Sequence, residues 1–184
     1  MSVSTTVDDE GVPGLAWVTM GLGWDPETRR WLAGGRPDID LNAAALMFEG
    51  DILVDTVYHD QLISQDGAVR LLADSVTGEE PGDDEVLTVD LTRLSPTITT
   101  IIYLVTSYAG QSFEQIDNAF CRFVDGVNDI EFARYILDNG PNRTGFVPGK
   151  LVLTARGWQY QPIGVAIEAN HPVEAIPQLA PYLS

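Results

Sequence analysis

Ten short segments rich in Val, Ile, Thr and aromatic residues recur along the chain, separated by clusters of Gly, Pro, Asp and Asn. This spacing is typical of strands joined by turns, and it predicts an all-β fold: a β-sandwich of about ten short strands with little helix. In EVLTVDL, the alternation places Leu87, Val89 and Leu91 on one side, which we predict to face the core. The predicted strands are 15–23, 39–48, 52–59, 68–73, 85–91, 97–108, 118–125, 130–137, 149–155 and 158–167.

The length of 184 residues fits one domain, 1–184. The polar, acidic start predicts a flexible N-terminus over 1–13. Apolar residues recur at helical spacing in 172–184, where two prolines limit the run, so we predict a short C-terminal helix or tail there. One helical turn is expected within 113–119.

The charge balance restricts the partners that the chain can have. Its formal net charge is -17, from 27 acidic and 10 basic residues, and Lys150 is its one lysine. Such a charge repels nucleic acid and anionic lipid and attracts cations and basic protein surfaces. Because the sequence shows neither a secretory-signal pattern nor an apolar run of about 20 residues, we predict a cytoplasmic protein that is not an integral membrane protein.

The acidic residues concentrate in two clusters. In PDIDLN, Asp38, Asp40 and Asn42 share one face if the backbone is extended. The second cluster, 74–90, holds seven acids and no base, and Asp60 lies between the two clusters at the end of a predicted strand. Ligand sets made only of oxygen favour a hard cation, Ca²⁺ before Mg²⁺. The alternative that these runs are solvated loops stays open.

Other metal chemistry is less well supported by the sequence. An EF-hand loop needs Gly where Ala43 stands, and a strand-like segment follows instead of a helix. His59 and His171 are far apart in the sequence with no third histidine, so a zinc site is not expected, and His171 is expected at the surface. Cys121, the one cysteine, cannot form an internal disulfide and is expected to be buried.

Five blocks of the sequence form a recognisable series: GLGWD (21–25), DIDLNAAAL (38–46), DSVTGEEPGDDEVLTVDL (74–91), QSFEQIDNAFCRFVD (111–125) and FARYIL (132–137). These blocks resemble the TerD family of tellurium-resistance and bacterial stress proteins, and they follow the family's order. The resemblance spans roughly 15–167.

The resemblance implies a cytoplasmic β-sandwich without established enzymatic activity that binds one or two Ca²⁺ ions through its acidic loops. It also implies stress-response assemblies with other proteins, peripheral to the inner membrane. The chain departs from the family pattern at Asn42, at His59-Asp60 and at Glu80-Pro81. Together, the residues and the resemblance predict these metal-binding residues: Asp38, Asp40, Asp60, Asp74, Gly78, Glu79, Asp83, Asp84 and Glu85.

Three functions follow as hypotheses. The first is a non-enzymatic, calcium-binding stress-response and tellurite-resistance protein that acts as an interaction module ordered by Ca²⁺. The second is an enzyme or small-ligand binder whose metal holds an anionic substrate such as tellurite, a sugar acid or phosphate, with Arg36 or Arg70 nearby. The third is a structural module whose acidic loops bind nothing specific.

Overall fold

A computed structural model describes residues 3–5, 14–24, 39–74, 83–138 and 140–184. Within these ranges the chain forms eleven strands and little helix. The strands are β1 (Val3–Thr5), β2 (Trp17–Gly23), β3 (Leu41–Glu49), β4 (Ile52–Val57), β5 (Val69–Asp74), β6 (Glu85–Asp90), β7 (Thr100–Ser107), β8 (Phe120–Asp125), β9 (Ile130–Ile136), β10 (Gly145–Thr154) and β11 (Gly157–Ile167).

The strands form two antiparallel sheets, which confirms the predicted sandwich. The first sheet has the order β1-β9-β8-β2-β6-β5, and the second has the order β11-β10-β7-β3-β4. The ten predicted strands all correspond to observed ones, with ends that shift by a few residues. In the stretch predicted to be flexible, 1–13, the structure describes only β1, which pairs with β9.

The main core lies between the two sheets. Leu87 and Val89 are fully buried and Leu91 nearly so, which confirms the face predicted from the alternation in β6. Aromatic rings fill the centre, where Phe123 contacts Tyr103 and Tyr160 with ring centroids 4.8 Å apart in each case. Cys121 is also buried here as a free thiol, and burial raises its pKa far above the ordinary value.

A second apolar layer covers the outer face of the second sheet. The covering segment is 172–184, which we call the tail; it contains α1 (Pro172–Ala175) and two 3₁₀ turns, Ile176–Gln178 and Ala180–Tyr182. Lys150 on β10 donates a hydrogen bond to the Tyr182 carbonyl at 2.5 Å, which ties the tail to the sheet. The buried residues of this layer are Ala44, Leu46, Phe48, Ile102, Leu104, Val147, Ile167, Ala169, Ala175 and Leu179.

The remaining helical structure is small. A single 3₁₀ turn, Phe113–Gln115, precedes β8, which confirms the predicted helical turn. No helix in the described ranges is both long and apolar enough to span a bilayer.

Candidate metal centre

The strand registers bring the described acidic candidates to one end of the sandwich. At this end β2 finishes and β3 and β6 begin, since Leu22 pairs with Glu85 and Leu41 with Ser107. We call it the acidic end; it holds Asp40, Asp83, Asp84 and Glu85. Asp74 pairs with Glu85 across β5 and β6, so its backbone lies here too.

Glu85 is a carboxylate on the core side of its strand. The alternation of β6 places it on the same face as Leu87 and Val89, and only 2% of it is exposed. Its Oε2 accepts a hydrogen bond of 2.7 Å from the backbone N–H of Ala43, which belongs to β3 in the opposite sheet. One side chain therefore joins the two sheets at the acidic end.

Asp84 anchors the end of β2 in a similar way. It is also 2% exposed, and its Oδ2 accepts a 2.8 Å hydrogen bond from the N–H of Trp24. The N–H of Asp84 in turn donates to the Leu22 carbonyl at 2.7 Å. Burying two carboxylates is costly unless hydrogen bonds and opposite charge stabilise them.

Asp40 precedes β3 on the same end. Its carbonyl accepts a 3.0 Å hydrogen bond from the N–H of Tyr108, which fixes the backbone just before Leu41. Asn42 follows on β3 and is buried, and its side-chain nitrogen makes no hydrogen bond within the described chain. Carboxylate oxygens are the ligands that Ca²⁺ prefers, so the chemistry of these side chains suits that ion.

Asp83 is bound by an arginine of the first sheet. Nε and Nη2 of Arg122 on β8 donate to its carboxylate at 3.0 and 2.7 Å, a bidentate ion pair. Hydrogen bonding to Asp83 is the main reason why the pKa of Arg122 is raised. Asp83 would have to leave Arg122 to bind a metal ion, which counts against it as a metal ligand.

Gly21 provides the space for this ion pair. A Cβ atom at Gly21 would lie 2.3 Å from Oδ1 of Asp83, far closer than two atoms can approach. The first glycine of GLGWD is therefore explained by the close packing of a carboxylate on the backbone of β2. Neither Gly21 nor Arg122 was a candidate from the sequence, although alternation within 118–125 places Arg122 opposite the core-facing Cys121 and Phe123.

The ion pair continues across the outer face of the first sheet. Arg122 also contacts Glu131 at 3.5 Å, and Nε of Arg134 donates to Glu131 at 2.6 Å. We call Asp83, Arg122, Glu131 and Arg134 the ion-pair row. Hydrogen bonds from Arg134, and then from Arg122, lower the pKa of Glu131 below its ordinary value.

The other predicted ligands are only partly described. Asp60 lies in the turn after β4 with 69% of its side chain exposed, beside His59. The side chain of Asp74 is not described, and Asp38, Gly78 and Glu79 lie outside the described residues. Arg36, suggested as an anion-binding residue, also lies outside them, whereas Nε of Arg70 donates to the Gly67 carbonyl at 3.2 Å. Gly67 lies in the loop between β4 and β5, next to the start of β5, whereas the acidic end is at the other end of that strand.

Comparison with known proteins decides the family. A family model described as the TerD domain matches residues 5–174. The chain belongs to the TerD family. This agrees with the resemblance seen in the sequence blocks, and it accounts for the order in which the acidic clusters occur.

Relatives within the TerD family carry names from two physiological contexts. The tellurium resistance protein TerZ of Serratia marcescens is 38% identical over 157 residues, which cover 83% of this chain and 81% of the relative. The stress response protein SCP2 of Bacillus subtilis is 33% identical over 169 residues, covering 84% of this chain and 85% of the relative.

A solved structure supports the same fold. The crystal structure of a homologue of the telluride resistance protein TerD from Streptomyces coelicolor superposes with a TM-score of 0.76 at 25% sequence identity. The match covers 89% of this chain and 96% of that chain. The sandwich is therefore shared along nearly the full length of the solved relative.

Proposed function

We propose that this TerD-family chain is a calcium-binding protein of bacterial stress response and tellurite resistance. It catalyses no reaction, and bound Ca²⁺ orders its acidic end so that other proteins of a stress-response assembly bind there. The family and the names of its relatives support the physiological context. The observation that carries the calcium proposal is the pair of buried carboxylates, Asp84 and Glu85, at one end of a chain with a net charge of -17.

The position of these carboxylates connects the ion to a binding surface. Asp84 is bonded to Trp24 just after the end of β2, and Glu85 is bonded to Ala43 near the start of β3. An ion bound by Asp84 and Glu85 would therefore fix the ends of these strands relative to one another. A surface that forms only when Ca²⁺ is bound makes partner binding conditional on calcium.

Thermal unfolding with CaCl₂ or with EDTA tests calcium binding. Ca²⁺ at 100 times its Kd stabilises the native state by about 2.7 kcal/mol. In a chain of this size, that raises Tm by several degrees, since about 1 kcal/mol corresponds to roughly 2–4 °C. Asp84→Asn and Glu85→Gln should lose most of this increase, because each removes a buried charge that faces the ion.

Asp83→Asn provides the matched control. It removes the same charge from the adjacent residue, but that carboxylate is already neutralised by Arg122. It should lower the stability of the protein and keep the calcium-dependent increase in Tm. Equal Tm values of the wild type in CaCl₂ and in EDTA would refute calcium binding.

A second measurement tests the role in protein interaction. The tagged chain is recovered from its native cytoplasmic extract in CaCl₂ and in EDTA, alongside the Asp84→Asn and Asp83→Asn variants. We expect co-purified proteins to be retained by the wild type in CaCl₂ and lost in EDTA and in Asp84→Asn. Unchanged partners under all conditions would refute the calcium-ordered surface while leaving calcium binding intact.

A further inference from the structure

A second group of side chains that can bind a metal ion does not include the buried carboxylates Asp84 and Glu85. His59, Asp60 and His171 each place one ligand atom within 4.8 Å of the others. The two histidines are far apart in the sequence, which does not predict a zinc site. The fold brings their ring centroids to 5.7 Å from each other.

A tight turn holds two of the three side chains. Tyr58 and Gln61 exchange backbone hydrogen bonds, both of 3.0 Å, and His59 and Asp60 are the two residues between them. These bonds fix the backbone that carries both ligands, while the side chains can still rotate. Nε2 of His59 already lies 3.5 Å from Oδ2 of Asp60.

The third side chain comes from the start of the tail. His171 is the N-cap residue of α1, and Pro172 follows it at the first helical position. Ala175 and Leu179 are fully buried against the second sheet, so the docking of the tail determines where His171 lies. The tail and the turn after β4 therefore meet at this group.

The surroundings of His59 distinguish this group from ordinary surface residues. Its Nδ1 is buried and makes no hydrogen bond within the described chain. The rings of Tyr58 and Tyr108 stand edge-on to it, with centroids at 5.1 and 5.4 Å. A buried imidazole nitrogen without a partner is costly, and an ion bound at Nδ1 would remove that cost, whereas an ion bound at Nε2, which faces Asp60, would not.

We propose that His59, Asp60 and His171 bind a divalent first-row transition metal ion such as Zn²⁺. Two imidazoles and one carboxylate are a donor set for such ions, in contrast to the oxygen-only set of the acidic end. Bonds of about 2.0–2.2 Å require the three ligand atoms to move closer together than in this structure. The exposed Asp60 side chain is free to make most of that movement.

Coordination would also change the cap of α1. Nδ1 of His171 now accepts a 3.2 Å hydrogen bond from the N–H of Val173. If Nδ1 binds the ion, its lone pair is used; if Nε2 binds the ion, the ring proton moves to Nδ1. In both cases the Val173 amide loses its acceptor, and the ion joins the tail to the turn after β4.

Calorimetric titration of the full chain with Zn²⁺ tests the proposal. Saturating CaCl₂ is present throughout, so that the acidic end is not available for Zn²⁺. His171→Asn removes the imidazole but keeps a good N-cap residue, and His59→Asn and Asp60→Asn change the other two ligands. Asp129→Asn removes an equivalent charge from the exposed turn between β8 and β9 and serves as the control. Circular dichroism verifies that each variant is folded.

We expect the wild type and Asp129→Asn to bind one Zn²⁺ with the same Kd. Each histidine variant should bind at least about tenfold more weakly, because the loss of even a supporting residue around a metal costs about 10–100-fold. The amide resonance of Val173 should shift on Zn²⁺ addition in the wild type and not in His59→Asn. Zn²⁺ binding that is equal in wild type and both histidine variants, or absent from the wild type, would overturn the proposal.

Discussion

The outer faces of the two sheets are built in opposite ways. The first sheet carries the ion-pair row, whose members are partly exposed to solvent. The second sheet is apolar on its outer face as well, and every residue of β7 is buried. The tail covers it. A sheet with one solvated face buries apolar side chains on its other face only. The second sheet is apolar on both faces, so a further layer must cover its outer face.

The largest effect should come from breaking the third layer. Leu179→Ala removes a fully buried side chain between the tail and the second sheet, so we expect a loss of about 2–5 kcal/mol in the free energy of unfolding. Urea unfolding measures it. Val173→Ala, in the same tail but 64% exposed, should change stability by less than about 0.5 kcal/mol. Equal effects of the two changes would show that the tail does not contribute to the core.

A smaller effect should follow from disturbing the ion-pair row at its buried end. Gly21→Ala places a methyl group against the Asp83 carboxylate and forces it away from Arg122. We expect the free energy of unfolding to fall by about 1–3 kcal/mol, as is typical of overpacking. In an Asp83→Ala background the carboxylate is absent, so the methyl group no longer clashes with it. Gly21→Ala should then lower the free energy of unfolding, measured in urea, by a much smaller amount. A cost that does not depend on Asp83 would contradict this explanation.

The smallest effect should come from the exposed part of the row. Glu131→Gln breaks its contacts with Arg122 and Arg134, and exposed ion pairs contribute about 0–1 kcal/mol. These contacts lower the pKa of Glu131, so their stabilisation is fully present above the unfolded-state pKa of about 4.3. It is lost as the pH falls through the lower folded-state pKa.

Urea unfolding at several pH values checks this dependence. The difference in stability between wild type and Glu131→Gln should shrink on acidification through that range. With Arg122→Gln and Arg134→Gln already introduced, the same change should show no such dependence on pH. A difference that grows as the pH falls would contradict the assigned direction of the pKa shift.

Local pattern was sufficient to predict most of the sandwich. Alternation in β6 identified the core face, and turn residues separated ten segments that are all strands. The unbroken apolar runs of β3 and β7 indicate burial on both faces, but a pattern does not reveal which segment provides the cover. That the tail provides it depends on packing between distant parts of the chain.

The candidate sites show the same limit. The sequence predicts Asp83, Asp84 and Glu85 alike as metal ligands, because clustered acids without bases are visible along one stretch. It does not predict that Arg122 binds Asp83, because Arg122 lies 39 residues away and contacts it only through the packing of strands. His59 and His171 are likewise brought together only by the docking of the tail.

Lys150 provides the one ε-amine of the sequence that amine-specific reagents can modify. It is the one lysine of the chain, and its amine is bonded to a carbonyl near the end of the tail. Burial lowers its pKa below the ordinary value. Reagents that acylate ε-amines therefore probe the contact between the tail and the second sheet. The rate at which they modify Lys150 should follow how often the tail detaches from the sheet.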